Sequence, residues 1–318
     1  MQRRRFAALS AAALALPSAV LAQDRTLKII VGFAPGGSTD LLARHLADKL
    51  RASLGQNVLV ENKPGAAGRV SLAEVKRAAP DGQTLALVAS GGLVVAPWIY
   101  PTLPYDPVKD FTPVARVATF DFAITAGPAV PPGDIHKVIA WLKANPAKAS
   151  YASSGAGTLS HFTGLMLSQA TGVPITHVPY RGGAPAAQDL VSGVLPLMVD
   201  TASETIEHHK AGRARIVAVS GDQRAKSLPD VPTLKEAGIN MSADGYFALY
   251  GPAGVPAAVV QRVDQAVAEA LKSPELQEKI HGLGLVPSYA GAADLRAIQA
   301  DQLKRWEQPV KASGYKPE

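Results

Sequence analysis

The 318-residue chain has no cysteine, only 18% charged residues and 6% aromatics. Beyond its first segment it also lacks any apolar run near the roughly 20 residues that cross a bilayer. The missing thiols exclude disulfide staples and any zinc or iron–sulfur centre built on thiolates. Stability must therefore come from packing. With 47% hydrophobic residues the chain is no disordered tail, and at roughly 100 to 200 residues per domain it is long enough for two cores. Its 28 Gly and 25 Pro suit many sharp strand-to-helix turns rather than long bundles, which favours an α/β class.

Lys and Arg number 32 against 26 acids, for a net charge of +6. Three of those cations, Arg3, Arg4 and Arg5, open the segment MQRRRFAALSAAALALPSAVLAQ, followed by an apolar stretch from Phe6 to Val20 and small residues. This reads as an export signal, residues 1–22, cut after Ala22. Arg3, Arg4 and Phe6 also loosely resemble a twin-arginine signal. Without the segment, 29 basic residues face 26 acids and the charge falls to +3. That leaves no concentrated basic face for nucleic acid. The mature chain is expected to be exported and soluble.

Downstream, short apolar runs alternate with helical patterns, the mark of βα units and a largely parallel sheet. The first series predicts strands at 27–33, 58–61 and 84–89 with helices at 40–54 and 68–78. After a Pro-rich stretch comes an extended segment at 114–125 and a helix at 134–144. The second series predicts strands at 150–153, 175–178, 195–200 and 215–220, with helices at 158–171 and 184–192. A crossing strand at 246–251 and three helices, 256–271, 274–283 and 292–311, close the chain.

Three strand-to-helix turns carry chemistry. In GFAPGGSTD, Gly36 and Gly37 allow a sharp turn and close ligand approach, and Ser38 is expected as the helix N-cap. The free amides of such a helix start can hold a carboxylate without any lysine or arginine, although a plain capped turn would look the same. In YASSGAGTLSH, Gly155, Gly157 and Ser160 approximate GxGxxG. The acidic residue that a dinucleotide fold wants about 20 positions later is missing. Small-anion binding by Ser153, Ser154, Gly157 and Thr158 is the better reading. In HVPYRGGAPA, Tyr180 and Arg181 precede two glycines, and Arg181 is either a bidentate carboxylate clamp or a solvated surface arginine.

These turns, with VENKPGAAG, LPYDPVKDFTPVA, SLPDVPTLKEAG and the ending VKASG, resemble in order and spacing the Bug family, the extracytoplasmic solute receptors of tripartite tricarboxylate transporters. The resemblance runs from about Lys28 to Gly314. It implies a two-lobed periplasmic-binding-protein type II fold with a ligand cleft between the lobes: 23–122 and 248–318 in lobe 1, 123–247 in lobe 2. It further implies a monomer that captures a small carboxylated solute by hinge closure near 117–125 and 244–250, and delivers it to the transporter's membrane permease subunits, with no cofactor and no metal. Carried over by position, Ala34, Gly36, Gly37, Ser38, Thr39, Asp40 and Ser90 would serve the site from lobe 1. Ser153, Ser154, Gly157, Thr158, Tyr180, Arg181, Gly182, Gly183, Ala184 and Asp200 would serve it from lobe 2. Asp40 and Asp200 suit an anion site only if each accepts from a water or main-chain donor that itself faces the ligand.

The chain departs from the family pattern in ASGGLVVAPWIY, where Gly92, Leu93, Val94, Val95 and Ala96 replace polar residues, with Phe120, Asp121 and Phe122 expected nearby. A less polar cleft, suited to an aromatic or hydroxylated acid, is one reading; core packing of 93–96 is the other. A secreted hydrolase is disfavoured because no GxSxG occurs, and His161 reads as a packed helix residue. His208 and His209 are adjacent, so their side chains diverge and metal binding is disfavoured. An orphan receptor that presents its liganded form to a sensor protein is the alternative within the binding class.

Overall fold

The computed structural model describes residues 26–317, so the expected export segment lies outside the described residues. The first βα unit shows why the pattern folds as it does. In β1 (Thr26–Val31) Leu27, Ile29, Ile30 and Val31 are buried. The helix Ser38–Leu54 lays Leu42, Leu46 and Leu50 on the same core, one face at helical spacing. Burying each such leucine contributes roughly 1.5 to 3 kcal/mol. The helix stops at Gly55, whose φ of +62° suits a residue without Cβ and whose N–H bonds the Arg51 carbonyl.

Repetition of this unit builds β2 (Asn57–Asn62) and β3 (Thr84–Ala89), both parallel to β1. The chain then enters β4 (Phe111–Ala126), a single 16-residue strand. A second series supplies β5 (Ser150–Ser153), β6 (Thr176–Pro179), β7 (Leu197–Thr201) and β8 (Arg215–Val219). β9 (Asp244–Pro252) returns between β3 and β4, and β10 (Val286–Gly291) adds to the other side of β4.

The strands follow the path β2-β1-β3-β9-β4-β7-β5-β6, and β4 belongs to both ends of it. Its residues Phe111 to Asp121 pair with β9, while Phe122 to Ala126 pair with β7. Two α/β layers thus share one strand, giving the two-lobed arrangement. The expectation of a largely parallel sheet holds only at the flanks. β9 runs antiparallel to β3 and β4, and β4 antiparallel to β7, β8 and β10. Right-handed βα units make parallel neighbours, but strands that carry the chain between units can run against them.

The sequence pattern gave no sign of the short helices Gly91–Val94, Ala96–Ile99 and Ile206–Lys210, or of β10. Leu93, Val94, Val95 and Ala96 pack in the core at 0 to 1% exposure, so the packing reading of this segment is the observed one. No helix among the described residues is long and apolar enough to cross a membrane.

Candidate functional site

The turn after β1 and the two turns after β5 and β6 face one another across the gap between the layers. Gly36 takes a φ of +86°, a conformation that favours glycine, and the backbone swings so that the helix Ser38–Leu54 begins facing the gap. Its N-cap is Gly37 and not Ser38, which is the first helical residue and makes no side-chain cap. The loop is braced from behind by Asp40. The Asp40 carboxylate accepts from the Gly36 amide at 2.9 Å, from Asn62 Nδ2 at 2.9 Å and from Arg44 at 2.8 and 3.0 Å. Burial pushes this carboxyl up, but those donors outweigh it and hold it below the ordinary value.

The second turn leads into the helix Leu159–Thr171, capped by Thr158, whose Oγ1 accepts from the His161 amide at 3.2 Å. Asp200, at the end of β7, accepts from the Ser154 amide at 2.6 Å and from the Thr201 amide at 2.9 Å. Asp200 therefore grips the second loop through the main chain as Asp40 grips the first. Burial raises its pKa. Behind the loop the rings of His161 and His177 stack at 3.9 Å, Ser153 Oγ lies 2.7 Å from His177 Nε2, and Gly157 donates to His161 Nδ1 at 3.1 Å. Burial lowers the two imidazoles to about 4 and about 3, with His161 adding to the effect on His177. Both rings are neutral at pH 7. Ser153 is fully buried and unavailable as a nucleophile.

Between the loops lies a narrow inner cavity of about 40 Å³ that opens toward solvent. Gly37, Ser38 and Thr39 line it from one side, and Ser154, Thr158, Gly183 and Asp200 from the other. Phe33, Phe120, Phe122 and Phe247 form its apolar walls. A wider outer chamber shares Phe33, Ala67 and Ser154 with it and is lined by Tyr180 and Arg181. The Tyr180 hydroxyl is already engaged, donating to Asp189 Oδ2 at 2.6 Å.

Other residues singled out in the sequence stand behind the walls. Ser90 is fully buried at the junction of β3 and β9, its Oγ accepting from the Tyr246 amide at 3.2 Å. Gly182 lies against Ala34, where an added Cβ would stand 3.2 Å from the Ala34 nitrogen. Ala34 itself donates to the Arg181 carbonyl at 3.3 Å, closing one edge of the gap, and Ala184 packs near Gly36.

Sequence reasoning missed Glu204 altogether. It sits in a short turn just after β7, is 8% exposed, and reaches across the gap to accept from the Ser38 amide at 2.8 Å. Burial and then the charge of Asp200 raise its pKa to about 7. Arg69 was also missed; its guanidinium lies 3.7 Å above the Tyr100 ring and lines the outer chamber. Ala67, which lines both chambers, belongs to the KPGAAG motif, where Ala66 and Ala67 hold positive φ values of 47° and 55°. Alanine in that region is strained, a local signal that the motif serves shape rather than mere connection. No group of three or more metal-ligating side chains occurs among the described residues.

Comparison with known proteins agrees with this geometry. The model of the tripartite tricarboxylate transporter family receptor matches residues 42–315. The structure of the periplasmic binding protein BugD is 34% identical with a TM-score of 0.89, covering 93% of this chain and 99% of BugD. MatC (Rpa3494) from Rhodopseudomonas palustris, solved with bound malate, is 31% identical with a TM-score of 0.85, over 90% of this chain and 99% of MatC. The R. palustris protein Rpa4515 with adipate is 29% identical with a TM-score of 0.90, over 93% of this chain and 99% of its own. The matching family is one of solute-binding receptors and not of enzymes. The chain belongs to the Bug family, the receptors of tripartite tricarboxylate transporters.

Proposed function

We propose that the protein is a periplasmic receptor that traps a small carboxylate-bearing solute between its two layers and hands it to the permease subunits of a tripartite transporter. The observation that carries this reading is the opposition of two helix-start loops across a narrow cavity, each braced by a carboxylate bound to its main chain. The malate and adipate held by MatC and Rpa4515 support a carboxylate as the shared feature of the ligand. Gly37, Ser38 and Thr39 would surround the solute from one lobe; Ser154, Thr158 and Gly183 from the other.

Closure would turn on the two crossings between lobes. The register of β4 supports a first hinge at Asp121 and Phe122. Pairing of β9 from Asp244 onward supports a second hinge just before it, and so a lobe 2 of about 122–243, ending slightly earlier than the 123–247 that the resemblance implies. Opening would break the Ala34–Arg181 and Ser38–Glu204 bonds, and the membrane partner would recognise the closed form.

The test is thermal unfolding of the mature protein, stripped of co-purified ligand by unfolding and refolding, against aliphatic and aromatic carboxylates. At a hundredfold excess over Kd the expected stabilisation is about 2.7 kcal/mol, a rise of roughly 5 to 10 °C for a chain of this size. Failure of every acid to shift the transition would refute a carboxylate receptor. In Gly37→Val the shift is expected to vanish while the unliganded melting temperature stays within a few degrees. The backbone there is extended, at φ −83° and ψ 172°, but an added Cβ would stand 3.4 Å from Glu204 Oε1, and valine's methyls would fill the cavity. Unchanged affinity would remove the first loop from the site.

A further inference from the structure

Glu204 changes what the inner cavity can hold. In a dicarboxylate receptor the start of the first helix is a place for a ligand carboxylate; here the chain's own opposite lobe supplies a carboxylate to the Ser38 amide. Asp200 lines the same cavity, and no lysine, arginine or histidine does so among the described residues. Glu204 is buried and lines the cavity beside Asp200, with its Oε1 taking the Ser38 amide. Two buried acids in a cavity lined by no cation favour a ligand group that is positive or donates. The phenylalanine walls ask for an apolar body between the two ends of a ligand.

The outer chamber has the opposite character. Arg69, Arg181 and Lys316 line it, and Arg69 Nη1 is buried without a hydrogen-bond partner among the described residues. Held flat over Tyr100, the guanidinium fixes a positive charge in the wall of the chamber, where an anion would be favoured.

On the reading that this is a solute receptor, we propose that its ligand is bifunctional: an apolar body with one carboxylate toward Arg69 and an ammonium or amide donor toward Glu204, rather than a dicarboxylate. A second carboxylate in the inner cavity would face Asp200 and Glu204 across a medium that screens poorly. An ammonium there would pair with both acids, and an amide would donate to the Glu204 carboxyl.

Calorimetric titration of the stripped mature protein with two matched pairs tests this: adipate against 6-aminohexanoate, and terephthalate against 4-(aminomethyl)benzoate. Each pair keeps its body and exchanges one carboxylate for an ammonium. Wild type is expected to bind the amino acid of at least one pair tenfold or more tighter than its dicarboxylate. Glu204→Gln is expected to weaken the amino acid at least tenfold and to erase or invert the preference. Arg69→Ala should weaken both members alike and leave the preference standing. Tighter binding of the dicarboxylates by wild type, a contrast that needs no variant, would overturn the inference while leaving the receptor reading intact. So would a preference unmoved by Glu204→Gln. Binding of none of the four acids would count against both.

Discussion

Between pH 7 and pH 4.5 the wild-type protein is expected to lose about 3 kcal/mol more unfolding free energy than a His177→Gln variant. The His177 ring is packed between Tyr151 and His161, and Ser153 Oγ lies 2.7 Å from its Nε2. Burial, with His161 adding to it, lowers its pKa from the usual 6.5 to about 3. The sign follows directly. A histidine held neutral in the fold takes up its proton on unfolding, so the stability it permits is complete above about pH 6.5 and falls as pH drops toward 3. Each pH unit within that window costs about 1.4 kcal/mol per such histidine. Glu204 and Asp121 act in the opposite direction, because burial raises their pKa values to about 7 and about 6. Both are present in wild type and variant, so the difference between the two pH curves isolates the imidazole. Urea unfolding at half-unit intervals of pH supplies the measurement. Parallel curves would mean that His177 is as readily protonated in the folded protein as in the unfolded chain.

Gly164→Val is expected to cost at least about 3 kcal/mol and to lower the melting temperature by roughly 6 to 10 °C. A Cβ at this position in the helix Leu159–Thr171 would stand 2.1 Å from a carbon of the Tyr151 ring. The ring cannot retreat: it is fully buried, and its hydroxyl donates to the His161 carbonyl at 2.8 Å. The helix must therefore move, and it carries Thr158 and the second loop with it. Glycine is a poor helix former by about 1 kcal/mol relative to alanine, so a site where packing did not matter would respond favourably to Gly164→Ala. Comparing Ala with Val by thermal unfolding measures the contact directly. A valine variant as stable as wild type would show that the helix and ring have room to separate.

Local periodicity carried most of the element map. The strands Thr84–Ala89 and Ser150–Ser153 and the helix Ile135–Ala144 fall where apolar spacing and turn residues put them. The pattern failed where structure depends on distant partners. The antiparallel centre arises because β9 inserts between β3 and β4, and no local signal encodes that direction. The helices Gly91–Val94 and Ala96–Ile99 are too short and too uniformly apolar to show a period. At the site, glycine-rich turns pointed to the right loops, while assigning side chains needed tertiary contact. Ser38 is the residue type that usually caps a helix, yet Gly37 takes the position. Ser90 follows a strand end as a ligand residue might, but its hydroxyl is taken by β9. Glu204 looked like any acid in a turn, and only the packing of one layer against the other brings it to Ser38.

The insertion of β9 also sets an order of assembly. The strands β5 to β8 and the end of β4 come from one continuous stretch, 122–219, and can pair as soon as that stretch exists. The other layer cannot finish so early. Before β9 arrives, β1, β2 and β3 form one fragment and the start of β4 another, with nothing between them. Until residue 252 has emerged, β3 presents an unpaired apolar edge of the kind that captures other chains. Contacts between segments so far apart in sequence form slowly. The nascent protein is therefore most exposed to aggregation after its second layer has folded and before its first has closed, and a chaperone that shields β3 during that interval would raise the yield of folded protein more than one acting at any later stage.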